Sequence, residues 1–122
     1  MKQEDKELLL KDLCSRLPYG IKGNYQNSDD ELLRKVTIMY RYLEPNGMVM
    51  TGDIKPYLFP LSSMTEEQSM EFALLQVNTH KDGFLYVCDC ANMMKWLLKN
   101  HFDIYGLIEK GLAIDATNLN IY

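Results

Sequence analysis

The sequence of 122 residues predicts an α+β fold, in which a small, mainly antiparallel sheet packs against two or three helices. Two observations carry this prediction. Three segments repeat apolar residues at helical spacing, while the segment between the first and second of them alternates apolar and polar residues and is broken by glycine and proline turns. With 47% hydrophobic and 25% charged residues, the chain has enough apolar surface to fill the core of a single domain over residues 1–122.

The first element is a helix predicted over about Glu4–Leu17. Its apolar residues recur at i, i+3, i+4 and i+7, and the predicted buried stripe consists of Leu10, Leu13, Cys14 and Leu17. Acidic residues in the first turn suit the positive end of the helix dipole. Pro18 ends the helix, because the residue before a proline is pushed out of the helical region.

Strand candidates follow this helix. A short strand is predicted over Ile21–Gln26, and the run Lys35–Leu43 has the period-two alternation of a half-buried strand. A helix over Asp29–Tyr42 is the alternative for that run, since its apolar residues also fit a helical stripe. Pro45-Asn46-Gly47 predicts a turn, after which Met48–Thr51 is a candidate for the returning strand of a hairpin.

The segment Ile54–Pro60 contains two prolines four residues apart, which suits neither a helix nor a central strand. We therefore expect an extended connector that presents Tyr57, Leu58 and Phe59. Thr65-Glu66-Glu67-Gln68 is a capping box that starts a second helix. The predicted buried stripe of that helix consists of Met70, Ala73, Leu74 and Val77.

The remaining elements are shorter. Lys81-Asp82-Gly83 predicts a turn and Phe84–Cys88 a short strand. A third helix is predicted over about Asp89–His101, with Ala91, Met94, Leu97, Leu98 and His101 on one side. A single helical turn over Leu107–Lys110 is expected to end at Gly111.

Charge and cysteine content limit the partners and the compartment. The 13 basic and 17 acidic residues give a formal charge of −4, which disfavours general nucleic-acid binding. Three cysteines in a chain of this size predict reduced thiols in a cytoplasmic protein. The beginning of the chain lacks the pattern of a signal peptide, and no apolar stretch approaches the ~20 residues that span a membrane, so no membrane association is expected.

Catalytic and metal-binding patterns are weak. A zinc site could use four candidate ligands, His80, Cys88, Cys90 and His101. Zinc sites usually have about two to four residues between paired cysteines, whereas Cys88 and Cys90 are separated by one. Ser62 and Ser63 lack a nucleophile elbow and are more simply explained as residues at a helix start. The scattered glycines form no phosphate-binding loop. We therefore predict no cofactor, no metal and no enzymatic activity, with a small hydrolase as the third hypothesis.

The composition contains eight tyrosines and eight methionines, residue types that are common in the centre of protein interfaces. Four aromatic residues fall in predicted turns or connectors and are the candidates for an interaction surface: Tyr25, Tyr57, Phe59 and Tyr105. Covering a small mixed core is the alternative role for each of them. A second candidate surface, for nucleic acid, combines cations with stacking rings: Arg34, Lys35, Tyr40, Arg41 and Tyr42.

Three strings together resemble a family of short uncharacterised proteins from gut bacteria of the Bacteroides group and their phages and prophages. The strings are KELLLKDLCSRLPYGIK, IKPYLFPLSSMTEEQ and NHFDIYGLIEKGLA. The chain departs from the family pattern at Phe59, at Asn100-His101 and at Ile104-Tyr105, where the family tends to have arginine or a second histidine. The loss of these cations weakens the case for an anion site shared with the family.

The resemblance implies no activity and no catalytic residues. Together with the weak catalytic patterns, it leads us to expect a phage- or prophage-associated cytoplasmic accessory protein that acts by protein–protein contact. The partner is unknown and includes the option of a homodimer. A selective nucleic-acid-binding protein is the alternative function.

Overall fold

The structure is a computed structural model, and it describes residues 1–26, 30–79 and 87–122, with side chains described outside 76–79 and 87–90. Its elements in chain order are α1 (Gln3–Arg16), β1 (Lys22–Tyr25), β2 (Val36–Thr37), β3 (Ile54–Leu58), α2 (Glu66–Thr79), α3 (Val87–Lys99) and β4 (Ile114–Asp115). The four strands form one sheet in the order β2-β1-β3-β4. The first three are antiparallel and β4 is parallel to β3, so the predicted α+β class is confirmed.

Helix α1 has the predicted bounds to within one residue, but its buried face differs from the predicted stripe. Of the predicted residues only Leu13 is buried, while Leu10 and Cys14 are exposed. The buried face instead carries Leu9 and Leu13 together with Asp12 and Arg16. The prediction was wrong because it counted apolar residues only, and here an ion pair occupies half of the face that meets the core.

The run Lys35–Leu43 is neither the predicted strand nor the alternative helix. Only Val36–Thr37 is strand, and the chain then turns into a short 3-10 helix over Tyr40–Leu43. The amide of Ile38 still donates to the carbonyl of Ile21 at 2.8 Å, but the amide of Tyr42 already donates to Met39 at 2.9 Å. The turn brings Ile38 and Leu43 into the core together. In an extended strand, two residues five positions apart would point to opposite faces of the sheet.

The predicted hairpin strand Met48–Thr51 is also a series of turns. The amide of Thr51 donates to the carbonyl of Gly47, and that of Gly52 donates to Val49, both at 3.1 Å. The consecutive residues Val49 and Met50 are both buried, whereas successive residues of a strand point to opposite faces.

The segment predicted as a connector contains the most enclosed strand of the sheet. Strand β3 pairs with β1 on one side and β4 on the other, in spite of Pro56. Ladder bonds to one neighbour involve alternate residues, and Asp53 already accepts from Gln26 of the β1 side, so Pro56 is directed away from β1. On the other side β4 pairs only with Tyr57 and Leu58. No hydrogen bond of the sheet therefore requires a backbone N–H at Pro56, which proline lacks.

The two later helices follow the predicted chain order. The capping box is present, since the Gln68 amide donates to Thr65 Oγ1 at 3.1 Å and the Thr65 amide donates to Gln68 Oε1 at 3.0 Å. Helix α3 begins at Val87, so the predicted strand over Phe84–Cys88 is wrong for its last two residues, and the others lie outside the described residues. Of the residues predicted for one side of α3, Leu97 and Leu98 are buried, whereas Ala91 and Met94 are exposed.

The turn over Leu107–Lys110 is also present, and Gly111 ends it with a φ of +74°. The carboxylate of Asp103 caps it by accepting from the amides of Leu107 and Ile108 at 2.9 and 3.0 Å. No helix among the described residues is long and apolar enough to cross a lipid bilayer.

Candidate functional site

A buried ion pair connects α1 to the loop that follows α3. Arg16 and Asp12 have no exposed surface, and Arg16 Nε donates to Asp12 Oδ2 at 2.7 Å while Nη2 donates to Oδ1 at 2.9 Å. The same Nη2 donates to the carbonyl of Phe102 at 2.6 Å. The third nitrogen, Nη1, is buried, and no described residue accepts a hydrogen bond from it. The pair neutralises both charges inside the protein and fixes the helix against the loop.

His101 occupies the same loop in an unusual backbone conformation. Its φ of +64° lies in the left-handed region, which is uncommon for a residue with a side chain. The imidazole ring stacks on the ring of Tyr122, with centroids 3.6 Å apart and an angle of 11° between the planes. Burial and, to a smaller extent, the positive charge of Arg16 together lower the pKa of His101 to about 4. The histidine is therefore neutral in the folded protein near pH 7.

The hydroxyl of Tyr122 connects two strands at the point where their ladder ends. It accepts from the amide of Lys22 at 2.9 Å and donates to the carbonyl of Tyr57 at 2.8 Å. The register places Lys22 opposite Tyr57, one step beyond the pair Gly23 and Pro56. The phenol thus inserts between β1 and β3 in place of a direct backbone hydrogen bond. Burial raises the pKa of Tyr122 above its usual value.

A groove lies over the face of the sheet that is turned away from the core, and we call it the sheet groove. Cross-strand partners share a face, so Lys22, Asn24, Lys55 and Tyr57 point to the same side. The groove has a volume of about 530 Å³ and is lined by Tyr57 and by two segments that cross over it. The lining residues from these segments are Glu31, Leu32, Arg34, Lys35, Leu119 and Ile121.

Hydrogen bonds and a ring stack hold the two walls of the sheet groove in place. Lys35 Nζ donates to the carbonyl of Asn120 at 2.9 Å, which joins one wall to the other. At the floor, Asn24 Nδ2 donates to the hydroxyl of Tyr57 at 2.9 Å, so this hydroxyl keeps its own proton available for an acceptor. The stack and hydrogen bonds of Tyr122 hold the end of the second wall.

A second distinctive surface is the outer side of α2. Met70 and Leu74 are 68% and 63% exposed, and Ala73 between them is exposed as well. We call these three residues the α2 face. They belong to the stripe that the sequence predicts to be buried, so that prediction was wrong for them, while the side chain of Val77 lies outside the described residues.

The reason is that α2 has a second apolar side. Phe72 stacks on Trp96 of α3 with centroids 5.4 Å apart, and Trp96 in turn stacks on Phe102 at 5.7 Å. Trp96 Nε1 donates to Glu71 Oε2 at 3.2 Å, which fixes how the two helices meet. Helix α2 therefore uses Phe72 to reach the domain, while Met70, Ala73 and Leu74 lie in solvent.

The four aromatic residues predicted for an interaction surface lie in different places. Tyr57 is 4% exposed and belongs to β3, so it does not lie in a connector at the surface. Tyr25 and Tyr105 are half-buried against the core, and Lys11 Nζ lies 5.4 Å from the centre of the Tyr105 ring. Phe59 is half-buried beside Phe102 and Tyr122, with centroids 6.2 and 6.0 Å away. In the described part of the chain, no ring contact joins any two of the four.

The residues predicted for nucleic-acid binding divide into two groups. Arg34 and Lys35 are exposed and line the sheet groove. Tyr40, Arg41 and Tyr42 belong to the 3-10 helix. Tyr40 is 68% exposed, whereas the guanidinium of Arg41 lies 5.2 Å from the centre of the Tyr42 ring and donates to its hydroxyl at 3.4 Å. Of this second group, Tyr40 is thus the ring that presents itself to solvent.

Sequence reasoning missed the Asp12–Arg16 pair and the stack of His101 on Tyr122. The first had a signal, because Asp12 and Arg16 are four residues apart and alternate with Leu9 and Leu13 on one side of a helix. The second had none, since the two aromatic residues are distant in sequence. For the zinc set, His80 and the side chains of Cys88 and Cys90 lie outside what the structure describes. Within the described ones, no three His, Cys, Asp or Glu side chains lie where they could share a metal ion.

Comparison of the chain with protein-family models, with curated proteins and with solved structures found no match. The family resemblance given above therefore stays a prediction.

Proposed function

We propose that this protein is a non-enzymatic accessory protein that acts by protein–protein contact through the α2 face. The observation that carries the proposal is the exposure of Met70 and Leu74 on a helix that already uses a different side to join the domain. Burying a methionine or leucine side chain stabilises an association by about 1.5–3 kcal/mol relative to leaving it in water. An exposed apolar side of this kind can be covered by the apolar stripe of an amphipathic partner helix.

The charges around the α2 face indicate the chemistry of the partner. The sequence of α2, EEQSMEFALLQVNT, contains three glutamates and neither lysine nor arginine. At 100° per residue, Glu66 and Glu67 lie beside the first turn of the face, whereas the carboxylate of Glu71 accepts from Trp96 on the side that joins the domain. We therefore infer a partner helix whose apolar stripe is bordered by lysine or arginine. An interface of this kind combines burial of the centre with charge complementarity at the rim.

A cytoplasmic place of action and an association with phages or prophages belong to the same proposal, and the second rests on the family resemblance.

The alternative function, selective nucleic-acid binding, has the support of Arg34, Lys35 and the exposed ring of Tyr40. It predicts binding to labelled single-stranded DNA or RNA that weakens steeply with salt. The small hydrolase stays a third prediction, which general hydrolase screens would test.

The test uses two synthetic peptides of about 18 residues that have the same leucine stripe and are flanked either by lysines or by glutamates. We expect the lysine-flanked peptide to bind the wild-type protein, and the variant Met70→Ser/Leu74→Ser to lose at least tenfold in affinity. The matched control is Met39→Ser/Met48→Ser, which removes two other exposed methionines and leaves the affinity unchanged. Equal binding of the two peptides would refute the inferred partner chemistry.

Light scattering separates this partner from a second copy of the chain. We expect a monomer at all accessible concentrations. A concentration-dependent dimer that Met70→Ser/Leu74→Ser abolishes would instead assign the α2 face to self-association. To identify the natural partner, a photo-crosslinking residue at Ala73 should capture one cytoplasmic protein in the native host. The same residue placed at exposed Met39 should not capture it.

A further inference from the structure

The sheet groove is a separate surface from the α2 face and has the dimensions of a small-molecule site. Its volume of about 530 Å³ lies within the range of about 300–1,000 Å³ that is usual for ligand pockets. It joins the sheet to two crossing segments, and it contains both apolar side chains and a few polar groups. This mixture is the usual composition of a binding site, in which apolar walls supply affinity and polar groups fix orientation.

The charge of the sheet groove is opposite to that of the whole protein. Arg34 and Lys35 line it with a single acid, Glu31, so the lining carries an excess of one positive charge while the chain carries −4. By register, two further cations, Lys22 and Lys55, and one acid, Asp53, point to the same side of the sheet. The guanidinium of Arg34 can hold the two oxygens of a carboxylate or phosphate at once. An anion is therefore the charge type that this groove favours.

The apolar part of the groove comes from Leu32 and Leu119, which are 81% and 47% exposed, and from half-buried Ile121. These side chains stand on the two opposing walls, so a ligand between them would cover both walls at once. The Tyr57 hydroxyl at the floor accepts from Asn24 and has its own proton to donate. A ligand with an anionic head and an apolar chain would match each of these groups.

Hydrogen bonds within the protein order both walls of the groove. The bond from Lys35 to the carbonyl of Asn120 joins its walls, and the hydroxyl of Tyr122 fixes the end of one wall to β1 and β3. A site whose walls are already ordered loses less conformational entropy on binding.

From the shape, charge and walls of the sheet groove, we propose that it binds a small amphipathic anion, which is a carboxylate or a phosphate ester with a short apolar chain. The head lies against Arg34 and Lys35, and the chain lies between Leu32 and Leu119 above Tyr57.

The test is a titration of isotope-labelled protein, followed by the amide resonances, with sodium octanoate, octyl phosphate and 1-octanol. We expect saturable shifts centred on residues 119–121 and on Arg34 and Lys35 for at least one anion, with octanol at least tenfold weaker. The tighter of the two anions identifies the head group. Affinity should rise about two- to fourfold for each methylene between hexanoate and octanoate, because the chain is buried between apolar walls.

Variants separate this site from general adsorption to apolar surface. Arg34→Gln/Lys35→Gln should weaken binding of the anion about tenfold or more and binding of octanol by less than threefold, the smaller loss reflecting the bond from Lys35 to Asn120 between the walls. The matched control, Lys99→Gln/Lys110→Gln, removes two exposed cations elsewhere and should change the affinity less than twofold. Met70→Ser/Leu74→Ser should also leave it unchanged, which distinguishes this site from the proposed partner surface.

Four results would overturn the proposal. They are absence of saturable binding by both anions, equal binding of octanol and both anions, shifts centred on the α2 face, and equal losses in the two charge variants.

Discussion

Replacing Tyr122 by phenylalanine tests whether one hydroxyl holds strands β1 and β3 together where their ladder ends. The variant keeps the ring and its stack on His101 but removes the group that accepts from the Lys22 amide at 2.9 Å and donates to the Tyr57 carbonyl at 2.8 Å. Each hydrogen bond contributes about 0.5–1.5 kcal/mol net, so the two together give about 1–3 kcal/mol. Because 42% of Tyr122 is exposed, we expect the lower part of this range, about 1–2 kcal/mol.

Urea unfolding measures this loss. With an m value of about 2 kcal/mol/M, the midpoint should fall by about 0.5–1 M in Tyr122→Phe. The control is Tyr40→Phe, since Tyr40 is 68% exposed and a surface change of this kind alters stability by less than about 0.5 kcal/mol. Equal midpoints for wild type and Tyr122→Phe would refute the bridging role of the hydroxyl.

The pH dependence gives an independent check on the same residue. Burial raises the pKa of Tyr122, so the unfolded chain loses this proton at lower pH than the folded protein does. The contribution of Tyr122 to the free energy of unfolding is therefore complete below about pH 10 and declines as the pH rises above that value. The alkaline decline should be shallower in Tyr122→Phe than in the wild type. Identical alkaline slopes would contradict the burial of this phenol.

Three further predictions concern the ion pair, the histidine and the α2 face. Asp12→Asn leaves the charge of Arg16 buried without its counter-ion and should cost about 3–5 kcal/mol in urea unfolding; a loss below about 1 kcal/mol would contradict a buried pair. Because the pKa of His101 is lowered to about 4, the unfolded chain gains this proton at higher pH than the folded protein does. The contribution of His101 to the free energy of unfolding is therefore complete above pH 6.5 and falls as the pH drops from 6.5 towards about 4. His101→Asn, which tolerates the positive φ, should flatten this acid limb, and an unchanged limb would exclude the histidine as its source. Met70→Ser/Leu74→Ser should change the free energy of unfolding by less than about 0.5 kcal/mol, because both side chains are already in water; a larger loss would mean that the domain itself uses them.

Local signals in the sequence predicted the elements that depend on neighbouring residues. The helix before Pro18, the capping box at Thr65 and Gln68 and the stop at Gly111 each involve groups within a few residues of one another, and all are present. Their free energy comes from capping and from allowed backbone angles, which a short stretch of sequence specifies completely.

Predictions that needed to know which side of an element meets the core were less successful. In α1 the apolar stripe was drawn through Leu10, but the buried side holds the ion pair of Asp12 and Arg16. In α2 the stripe through Met70 lies in solvent, because Phe72 and its stack on Trp96 decide the orientation. Periodicity shows that an apolar side exists, but not which of two sides has a neighbour.

Chain composition and local pattern thus determined the fold class, the capping box and the turn that ends at Gly111. Only the tertiary structure decided that a proline-containing segment becomes an inner strand, that Tyr122 closes a ladder about 100 residues away, and that cations gather over one side of the sheet. The physical reason is the sequence separation of the groups that interact. Local structure follows from torsion angles and bonds between near neighbours, whereas a groove or a stack forms between distant segments that only the folded chain brings together.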